Sequence, residues 1–304
     1  MVRILANDTI ATSAVEKLEE LGFEVVHNHY DNEELLVQIK NFDCIIVRSG
    51  TKVRDDVIDA AKETGRLKLI VRGGVGVDNI NVKYAEENGI IVKNTPNASS
   101  NSVAELAIGH MFSILRYINI SNVTMKNSEW NKKQYKGYEL NNKTLGLYGF
   151  GRIGQLVAKK ANALGMNVIY NTRSGKKPGF DQFKYVEKEE LYKESDIISL
   201  HVPFVKSQGA VLTEKEFSIM KKGVYIINIA RGGVVSEDSL LDAINSGIVA
   251  GAALDVFENE PTTNKAILEC DKISLTPHIG ASTYEAQIRI GEEIFSVVRD
   301  FFNK

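Results

Sequence analysis

Cysteine and proline are scarce in this sequence. Its 304 residues include two cysteines, Cys44 and Cys270, and five prolines. Two cysteines so far apart exclude a disulfide framework and the closely spaced ligands of a zinc-binding motif, and they fit a reducing compartment. Five prolines and no low-complexity tract leave little room for a disordered tail.

An excess of charge of either sign is also absent. The sequence has 37 Lys and Arg against 39 Asp and Glu, a formal net charge of -2. This balance provides no basic field for nucleic acid or an anionic membrane surface, so we expect neither partner. No run approaches the roughly 18 apolar residues that span a bilayer. The N-terminus carries Arg3 and lacks the apolar core of a signal peptide. We therefore expect a cytoplasmic protein.

Short apolar runs alternate with amphipathic stretches along the whole chain, whose length suggests about two domains. Because the Val and Ile runs are continuous, they predict parallel sheets covered on both faces, the α/β class. A polar stretch at 119–143 separates two such series, and the last helix is expected to return to the first. Strands are predicted at 2–5, 23–27, 44–48, 67–72, 90–93, 144–149, 167–170, 197–201, 224–229, 249–254 and 273–275, and helices at 11–21, 55–64, 102–116, 153–164 and 284–302.

One glycine-rich loop has the spacing of a dinucleotide-binding motif. Gly149, Gly151 and Gly154 form G-x-G-x-x-G between a predicted strand and a predicted helix. The glycines permit a tight turn, close approach to a pyrophosphate and close helix–strand packing. The helix N-terminus at Arg152 and Ile153 favours an anion. The alternative is a glycine-rich turn between core elements, but the order of strand, loop, helix and second strand favours dinucleotide binding.

The acidic residue expected about 20 positions later is missing. Asn171 or Thr172 stands where a carboxylate would bind the ribose hydroxyls. Thr172, Arg173 and Ser174 could accommodate a 2′-phosphate, which favours tolerance of NADP. The alternative is that Arg173 points to solvent and NAD binds through other contacts. Both readings stay open.

These patterns predict two doubly wound parallel-sheet domains, Rossmann-like or flavodoxin-like, with a cleft between them. Residues 98–284 are expected to form the dinucleotide-binding domain. Residues 1–97 and 285–304 are expected to form a discontinuous substrate-binding domain.

Three further stretches follow predicted strands of the second series: NIARGG at 228–233, LDVFENEP at 254–261 and LTPHIGAST at 275–283. Residues beyond the carboxyl ends of parallel strands face the ligand crevice, so Arg231, Glu260 and His278 could converge there. Together with GFGRIG, VRSGTKV at 47–53, VRGGVGVDN at 71–79 and NTPNASSNSVAE at 94–105, they resemble the D-isomer-specific 2-hydroxyacid dehydrogenase family. The resemblance covers essentially the whole chain.

This resemblance implies hydride transfer between nicotinamide and C2 of a 2-oxo or 2-hydroxy acid. His278 would exchange a proton with the substrate oxygen, because an imidazole titrates near working pH. Glu260 would hydrogen-bond its other ring nitrogen, and Arg231 would bind the substrate carboxylate. Taken singly, each has a structural explanation as a surface ion pair or a loop histidine. No metal site stands out in the sequence, and hydride transfer needs no metal.

The remaining roles are carried over from the family. Asp255 would bind the nicotinamide carboxamide, and His201 would form part of the wall beside the adenine. Arg48 and Arg72 are candidates for binding a phosphate or carboxylate, or else are solvated surface arginines. Further cofactor contacts are expected at Val75, Val202, Pro203, Ile229, Ala230, Arg231, His278, Gly280 and Ala281, and substrate contacts at Ser49, Gly73, Gly74 and Val75. The other histidines, His27, His29 and His110, are predicted to be structural or exposed.

Within the family, the motifs are most similar to the branch that oxidises 3-phospho-D-glycerate to 3-phosphohydroxypyruvate in serine biosynthesis, in its short form. The chain ends before a regulatory domain could begin, so we expect no feedback control through one. A glyoxylate or hydroxypyruvate reductase, or another D-2-hydroxyacid dehydrogenase, is the alternative. A dinucleotide-sensing co-repressor is a more distant one. The resemblance also implies a homodimer.

Overall fold

The apolar runs form the strands of two parallel sheets in the computed structural model, which describes residues 1–303. One sheet has the order β2-β1-β3-β4-β5, and the other has the order β12-β11-β10-β9-β6-β7-β8. The α/β prediction is confirmed. The strands are β1 Arg3–Ala6, β2 Glu24–His27, β3 Cys44–Val47, β4 Leu69–Arg72, β5 Ile91–Asn94, β6 Thr144–Tyr148, β7 Asn167–Asn171, β8 Lys184–Tyr185, β9 Ile197–Leu200, β10 Val224–Asn228, β11 Val249–Leu254 and β12 Ile273–Leu275.

The helices cover both faces of each sheet, which gives the doubly wound arrangement. They are α1 Thr12–Glu20, α2 Asn32–Gln38, α3 Asp55–Lys62, α4 Val82–Glu87, α5 Ser100–Leu115, α6 Ile118–Lys126, α7 Arg152–Ala163, α8 Lys188–Glu194, α9 Glu214–Ser218, α10 Glu237–Asn245, α11 Lys265–Leu268 and α12 Tyr284–Phe301. Among residues 1–303, no helix combines the length and apolar character that a bilayer crossing requires.

The chain divides into two compact units. Unit 1 is Met1–Ser99 together with the chain from Ala281 onward, and unit 2 is Ser100–Gly280. These boundaries differ from the predicted 97/98 and 284/285. The first lies where α5 begins. The second lies earlier than predicted because Ala281 and Thr283 are tied to α12: Gln287 donates to the Ala281 carbonyl, and Thr283 caps the helix by accepting from Ala286.

The core of unit 1 explains why α12 belongs to it. Ile290, Ile294 and Val298 of α12 are buried against the sheet residues Ile4 and Ile46. A Cβ atom on Gly291 would lie 3.0 Å from the Ala11 side chain and 3.1 Å from the Ala14 side chain. Small residues therefore let α12 and α1 approach closely. The opposite face of the sheet packs against α2, α3 and α4.

In unit 2, α5 and α7 cover one face of the seven-stranded sheet, and α8, α9 and α10 cover the other. The polar stretch at 119–143, for which no helix was predicted, begins inside α6. The two-residue strand β8 was not predicted either. Both are too short or too polar for hydrophobic periodicity to detect.

Candidate active site

Three neighbouring strands of unit 2 end side by side, and each is followed by one of the distinctive loops. Asn228 of β10 is level with Leu254 of β11, which is level with Leu275 of β12. The loops that carry Arg231, Glu260 and His278 therefore leave the same edge of the sheet, where open α/β folds bind ligands.

His278 and Glu260 are in direct contact. Nδ1 of His278 lies 2.7 Å from Oε2 of Glu260, and the other carboxylate oxygen accepts from the amide of Phe257 at 3.1 Å. Each of the two side chains is 37% exposed. Glu260 thus fixes the imidazole through Nδ1, and Nε2 is the ring nitrogen outside this contact.

The pKa of Glu260 is lowered from its ordinary value. Burial alone would raise the pKa, but the hydrogen bond and charge of His278 outweigh it, together with the Phe257 amide and the charge of Arg231. The carboxyl group is therefore held in its ionised form, the form that stabilises an imidazolium.

Arg231 is brought towards Glu260 by the packing of its loop. A Cβ atom on Gly232 would lie 1.7 Å from the Phe257 carbonyl oxygen, so only glycine permits this approach. Asn228 accepts from the amide of Ala230 at 3.1 Å and donates to the Arg231 carbonyl at 2.9 Å. The guanidinium also donates to the Ala230 carbonyl at 2.6 Å.

His278 has a left-handed backbone conformation, with φ of 53°. Asp255 holds this turn: its carbonyl accepts from the His278 amide at 2.8 Å, and its carboxylate accepts from the amides of Ile279 at 2.8 Å and Gly280 at 2.9 Å. The hydroxyl of Thr276 donates to the same carboxylate at 2.6 Å. These contacts give Asp255 a positioning role, while its bond to the nicotinamide carboxamide stays a prediction.

The glycine-rich loop has the geometry of a phosphate cradle. A Cβ on Gly149, whose φ is +102°, would lie 2.4 Å from the His201 carbonyl oxygen, and one on Gly154 would lie 2.5 Å from the Gly149 carbonyl oxygen. Both positions exclude a side chain. Gly151, the N-cap of α7, differs because no atom lies within 4 Å of its Cβ position. Open space at the N-terminus of a twelve-residue helix, beside Arg152 and Ile153, fits a pyrophosphate.

The end of β7 carries no carboxylate. Asn171 is buried, and both of its polar groups have partners within the fold. Its backbone carbonyl accepts from the Gly149 amide, and its side-chain amide donates to the Val186 carbonyl. Thr172 begins a turn in which its carbonyl accepts from Gly175 at 3.0 Å, and Arg173 is exposed on that turn.

His201 packs beneath the glycine-rich loop. Burial lowers the pKa of its imidazole to about 4, so the ring is neutral at pH 7, and its Nε2 lies 2.9 Å from the hydroxyl of Ser199. Val202 lies 2.9 Å from the Cβ position of Gly149. Among the other predicted cofactor contacts, Ile229 and Gly280 are buried, Val75, Ala230 and Ala281 are half-buried and Pro203 is exposed.

In unit 1, two arginines flank one turn. Arg72 ends β4 and is paired with Val47, which precedes Arg48. A Cβ atom on Gly73 would lie 3.4 Å from the Arg48 side chain, and one on Gly74 would lie 1.4 Å from Nη1 of Arg72. Glycine at both positions lets the two side chains lie close to the turn. Burial lowers the pKa of Arg48 but leaves it a cation.

The turn at Arg48, Ser49, Gly50 and Thr51 is held by two residues that the sequence analysis missed. The carboxylate of Asp8 accepts from the amides of Arg48 and Thr51 and from the Thr51 hydroxyl. Asn79 donates to the carbonyls of Arg48 at 2.7 Å and Thr51 at 2.6 Å. The only sequence signal was a pair of polar residues after a strand, at Asn7 and Asp8.

The chain is similar in sequence and fold to known proteins. Residues 108–280 match the family model described as "D-isomer specific 2-hydroxyacid dehydrogenase, NAD binding domain". The chain is 47% identical to a hydroxypyruvate reductase of Thermotoga maritima, over 96% of this chain and 95% of that protein. It is 44% identical to a D-3-phosphoglycerate dehydrogenase of Methanocaldococcus jannaschii, over 98% of this chain but 58% of that protein, so it spans little more than half of that relative.

Among solved structures, a glyoxylate reductase from Paecilomyes thermophila superposes with a TM-score of 0.90 at 34% identity. That match covers 98% of this chain and 94% of the other. The family model covers more than half of the chain, and the relatives match nearly all of it. The chain therefore belongs to the D-isomer specific 2-hydroxyacid dehydrogenase family and is an NAD(P)-dependent oxidoreductase that acts on the CH–OH group of its substrate.

Proposed function

We propose that this enzyme interconverts 3-phospho-D-glycerate and 3-phosphohydroxypyruvate, the reaction that supplies serine biosynthesis. The observation that carries the proposal is the pair of arginines, Arg48 and Arg72, at the adjacent ends of the paired strands β3 and β4 of unit 1. A plain 2-hydroxy acid has one carboxylate, for which Arg231 is the proposed partner. Two further guanidinium groups suit a second, doubly charged anionic group such as a phosphate.

The proposed cofactor site begins at Gly149, Gly151 and Gly154. The open space at Gly151 and the N-terminus of α7 would hold the pyrophosphate. The nicotinamide, when bound, accepts or donates the hydride at C4. The side chains of the protein have to bind the substrate, orient it and exchange the proton.

In oxidation, Nε2 of His278 would take the proton of the C2 hydroxyl while the hydride leaves C2. Glu260 would stabilise the resulting imidazolium from Nδ1, at the 2.7 Å contact already formed. Arg231 would orient the carboxylate and polarise the oxygen on C2. In reduction, the same nitrogen would return the proton to the carbonyl oxygen.

Reduction of hydroxypyruvate or glyoxylate is the second candidate. It is favoured by the near-full-length match to a hydroxypyruvate reductase and by the turn at Thr172 and Arg173, which lacks a carboxylate to repel a 2′-phosphate. We propose that NAD is the cofactor and that this turn also admits NADP. A dinucleotide-sensing co-repressor would leave the contact between His278 and Glu260 without a use.

The test is an absorbance assay with NADH and NADPH against 3-phosphohydroxypyruvate, hydroxypyruvate, glyoxylate and pyruvate. We expect kcat/KM for the phosphorylated acid to exceed the others at least tenfold, about 1.4 kcal/mol of discrimination. Arg48→Gln should erase that preference, whereas the matched variant Arg54→Gln, at an exposed arginine before α3, should keep it. A preference for an unphosphorylated acid would favour the reductase, and no turnover would favour the co-repressor.

We also propose that the enzyme is a homodimer through the surface around α6. This short region carries Ile118, Val123, Met125 and Trp130 with 53%, 46%, 51% and 77% of their surfaces exposed. Exposed apolar side chains in one segment are typical of an interface between subunits. Sedimentation should show a dimer that Met125→Lys dissociates. Val37→Lys, at a 62% exposed residue in unit 1, should leave it intact. A monomeric wild-type enzyme would refute the proposal.

A further inference from the structure

A chain of hydrogen bonds links α5 to the turn that carries His278. Nε2 of His110 lies 3.0 Å from the hydroxyl of Thr276, which donates to Asp255 at 2.6 Å. On the other side of the ring, Nδ1 lies 3.4 Å from the hydroxyl of Ser274, which lies 3.0 Å from that of Ser113. His110 was predicted to be structural or exposed. It is 3% exposed and is joined to the candidate active site.

The local geometry explains how these side chains meet. His110 and Ser113 are three residues apart and share one face of α5. Ser274 and Thr276 are two residues apart at the end of β12 and point to one side of the strand. Helix α5 packs on β12. The two polar pairs are therefore aligned with each other inside unit 2.

Only one arrangement of hydrogens satisfies the chain. The Thr276 hydroxyl has one hydrogen, and the carboxylate of Asp255 uses it. Thr276 can then only accept from His110, so the imidazole carries its proton on Nε2 and accepts at Nδ1 from Ser274. Burial lowers the pKa of His110, which keeps the ring neutral as this arrangement requires. Every hydrogen bond in the series is donated in the direction of Asp255, and hydrogen bonds arranged in this way strengthen one another.

We propose that His110 is a positioning residue for His278. Its Nε2–H fixes the Thr276 hydroxyl so that the hydrogen points at Asp255. The Asp255 carboxylate, satisfied by that hydroxyl, holds the amides of Ile279 and Gly280 and so keeps His278 at its positive φ. A non-glycine residue in this conformation costs on the order of 1–3 kcal/mol and needs surrounding contacts to persist. The inference rests on the proposed role of His278 in proton exchange.

Substitutions at the residues of this hydrogen-bond chain, followed by steady-state kinetics, test the proposal. Thr276→Val removes the hydroxyl at nearly constant volume, and Thr276→Ser keeps it. We expect Thr276→Val and His110→Leu to lower kcat about tenfold or more, because a small displacement of a reacting group is costly. Thr276→Ser should restore kcat, and His110→Gln, whose amide can donate, should restore it in part. The Kd of the cofactor, measured by fluorescence titration, should stay within about threefold, because the glycine-rich loop is untouched.

A matched control separates this role from simple core packing. Ser113→Ala alters the same face of α5, at the end of the hydrogen-bond chain farthest from Asp255, and leaves Ser274 able to donate to His110. Its kcat should stay close to that of the wild type. The double variant of Thr276→Val and His110→Leu should be about as slow as the slower single variant, because both break one chain. A loss of thermal stability with unchanged kcat in the single variants, or multiplied losses in the double variant, would overturn the inference.

A spectroscopic measurement on the wild type is independent of activity and of variant folding. In protein labelled with ¹⁵N-histidine, His110 should be neutral with its proton on Nε2, and the resonance is assigned by its loss in His110→Gln. A proton on Nδ1 would overturn the inference, because Nε2 could not donate to Thr276. His278→Ala is assayed alongside. If it keeps its kcat, the proposed function fails. If it loses activity while Thr276→Val does not, only the present inference fails.

Discussion

Nδ1 of His278 and Oε2 of Glu260 lie 2.7 Å apart, and this contact decides how the histidine can act. It occupies Nδ1, so Nε2 is the ring nitrogen that the proposed proton exchange would use. It also joins two loops whose residues are eighteen positions apart in the sequence. The proposed chemistry thus depends on how β11 and β12 position the loops that follow them.

Glu260→Gln tests the value of the carboxylate charge. The variant keeps an oxygen that can accept from Nδ1 but loses the charge that stabilises an imidazolium. We expect kcat to fall at least about tenfold with little change in cofactor Kd. Steady-state kinetics measures kcat, and a fluorescence titration measures the cofactor Kd. An unchanged kcat would show that Glu260 only orients the ring.

The same variant should change the pH dependence of stability. The pKa of Glu260 is lowered in the folded protein, so its contribution is fully present above the unfolded carboxyl value of about 4.3. It is lost as the pH falls through the lowered folded value. The difference in Tm between wild type and Glu260→Gln should be constant above about pH 5 and should shrink below pH 4. A difference that grew on acidification would contradict this.

Gly151→Ala should separate cofactor binding from folding. Nothing in the protein lies within 4 Å of the added methyl group, so the free energy of unfolding should change by less than about 1 kcal/mol. The cofactor Kd should rise at least tenfold, about 1.4 kcal/mol, because the methyl group occupies the space proposed for the pyrophosphate. The comparison variant Gly149→Ala should destabilise the fold itself by about 2 kcal/mol or more. Unchanged affinity in Gly151→Ala would place the pyrophosphate elsewhere.

Arg173→Ala tests recognition of the 2′-phosphate. If the exposed guanidinium binds that group, the Kd of NADPH should rise at least about tenfold, while the Kd of NADH changes little. Arg152→Ala is the matched control: Arg152 lies at the start of α7, beside the space proposed for the pyrophosphate that both cofactors share, so its loss should weaken the binding of both equally. If Arg173→Ala weakened the binding of NADPH and of NADH equally, Arg173 would not distinguish the two cofactors.

His201 should make the folded protein sensitive to acid. Its folded pKa of about 4 lies below the unfolded value of about 6.5, so the unfolded chain binds the extra proton between those values. Stability is full above pH 6.5 and declines towards pH 4, by about 3 kcal/mol from this group. Urea unfolding across this range should show a smaller decline in His201→Gln. Equal slopes for both proteins would show that His201 is not buried as described.

The glycine-rich loop illustrates what could be predicted from sequence. Gly149, Gly151 and Gly154 lie within six residues, and their roles follow from spacing between a strand and a helix. The class of the fold was predictable for the same reason, because continuous apolar runs depend only on local sequence. The family resemblance then identified Arg231, Glu260 and His278 as a group.

The residues that position the site were not predictable. Asp8 reaches Thr51, 43 positions away, and His110 reaches Thr276, 166 positions away. Each is an ordinary polar residue whose role exists only after the chain has folded. Asp255 was predicted only as a cofactor contact, and its carboxylate also holds Thr276 and the turn at Ile279 and Gly280. Such partners depend on tertiary packing and leave no periodic signal.

The most direct measurement is the kcat of His278→Ala together with its cofactor Kd. If His278 exchanges the proton, kcat should fall at least about 100-fold while the cofactor Kd stays within about threefold, since the ring is not part of the glycine-rich loop. The kcat values of the wild type and of Glu260→Gln, measured in the same assay, are the references against which this fall is judged. A His278→Ala enzyme with near-normal kcat would contradict the account.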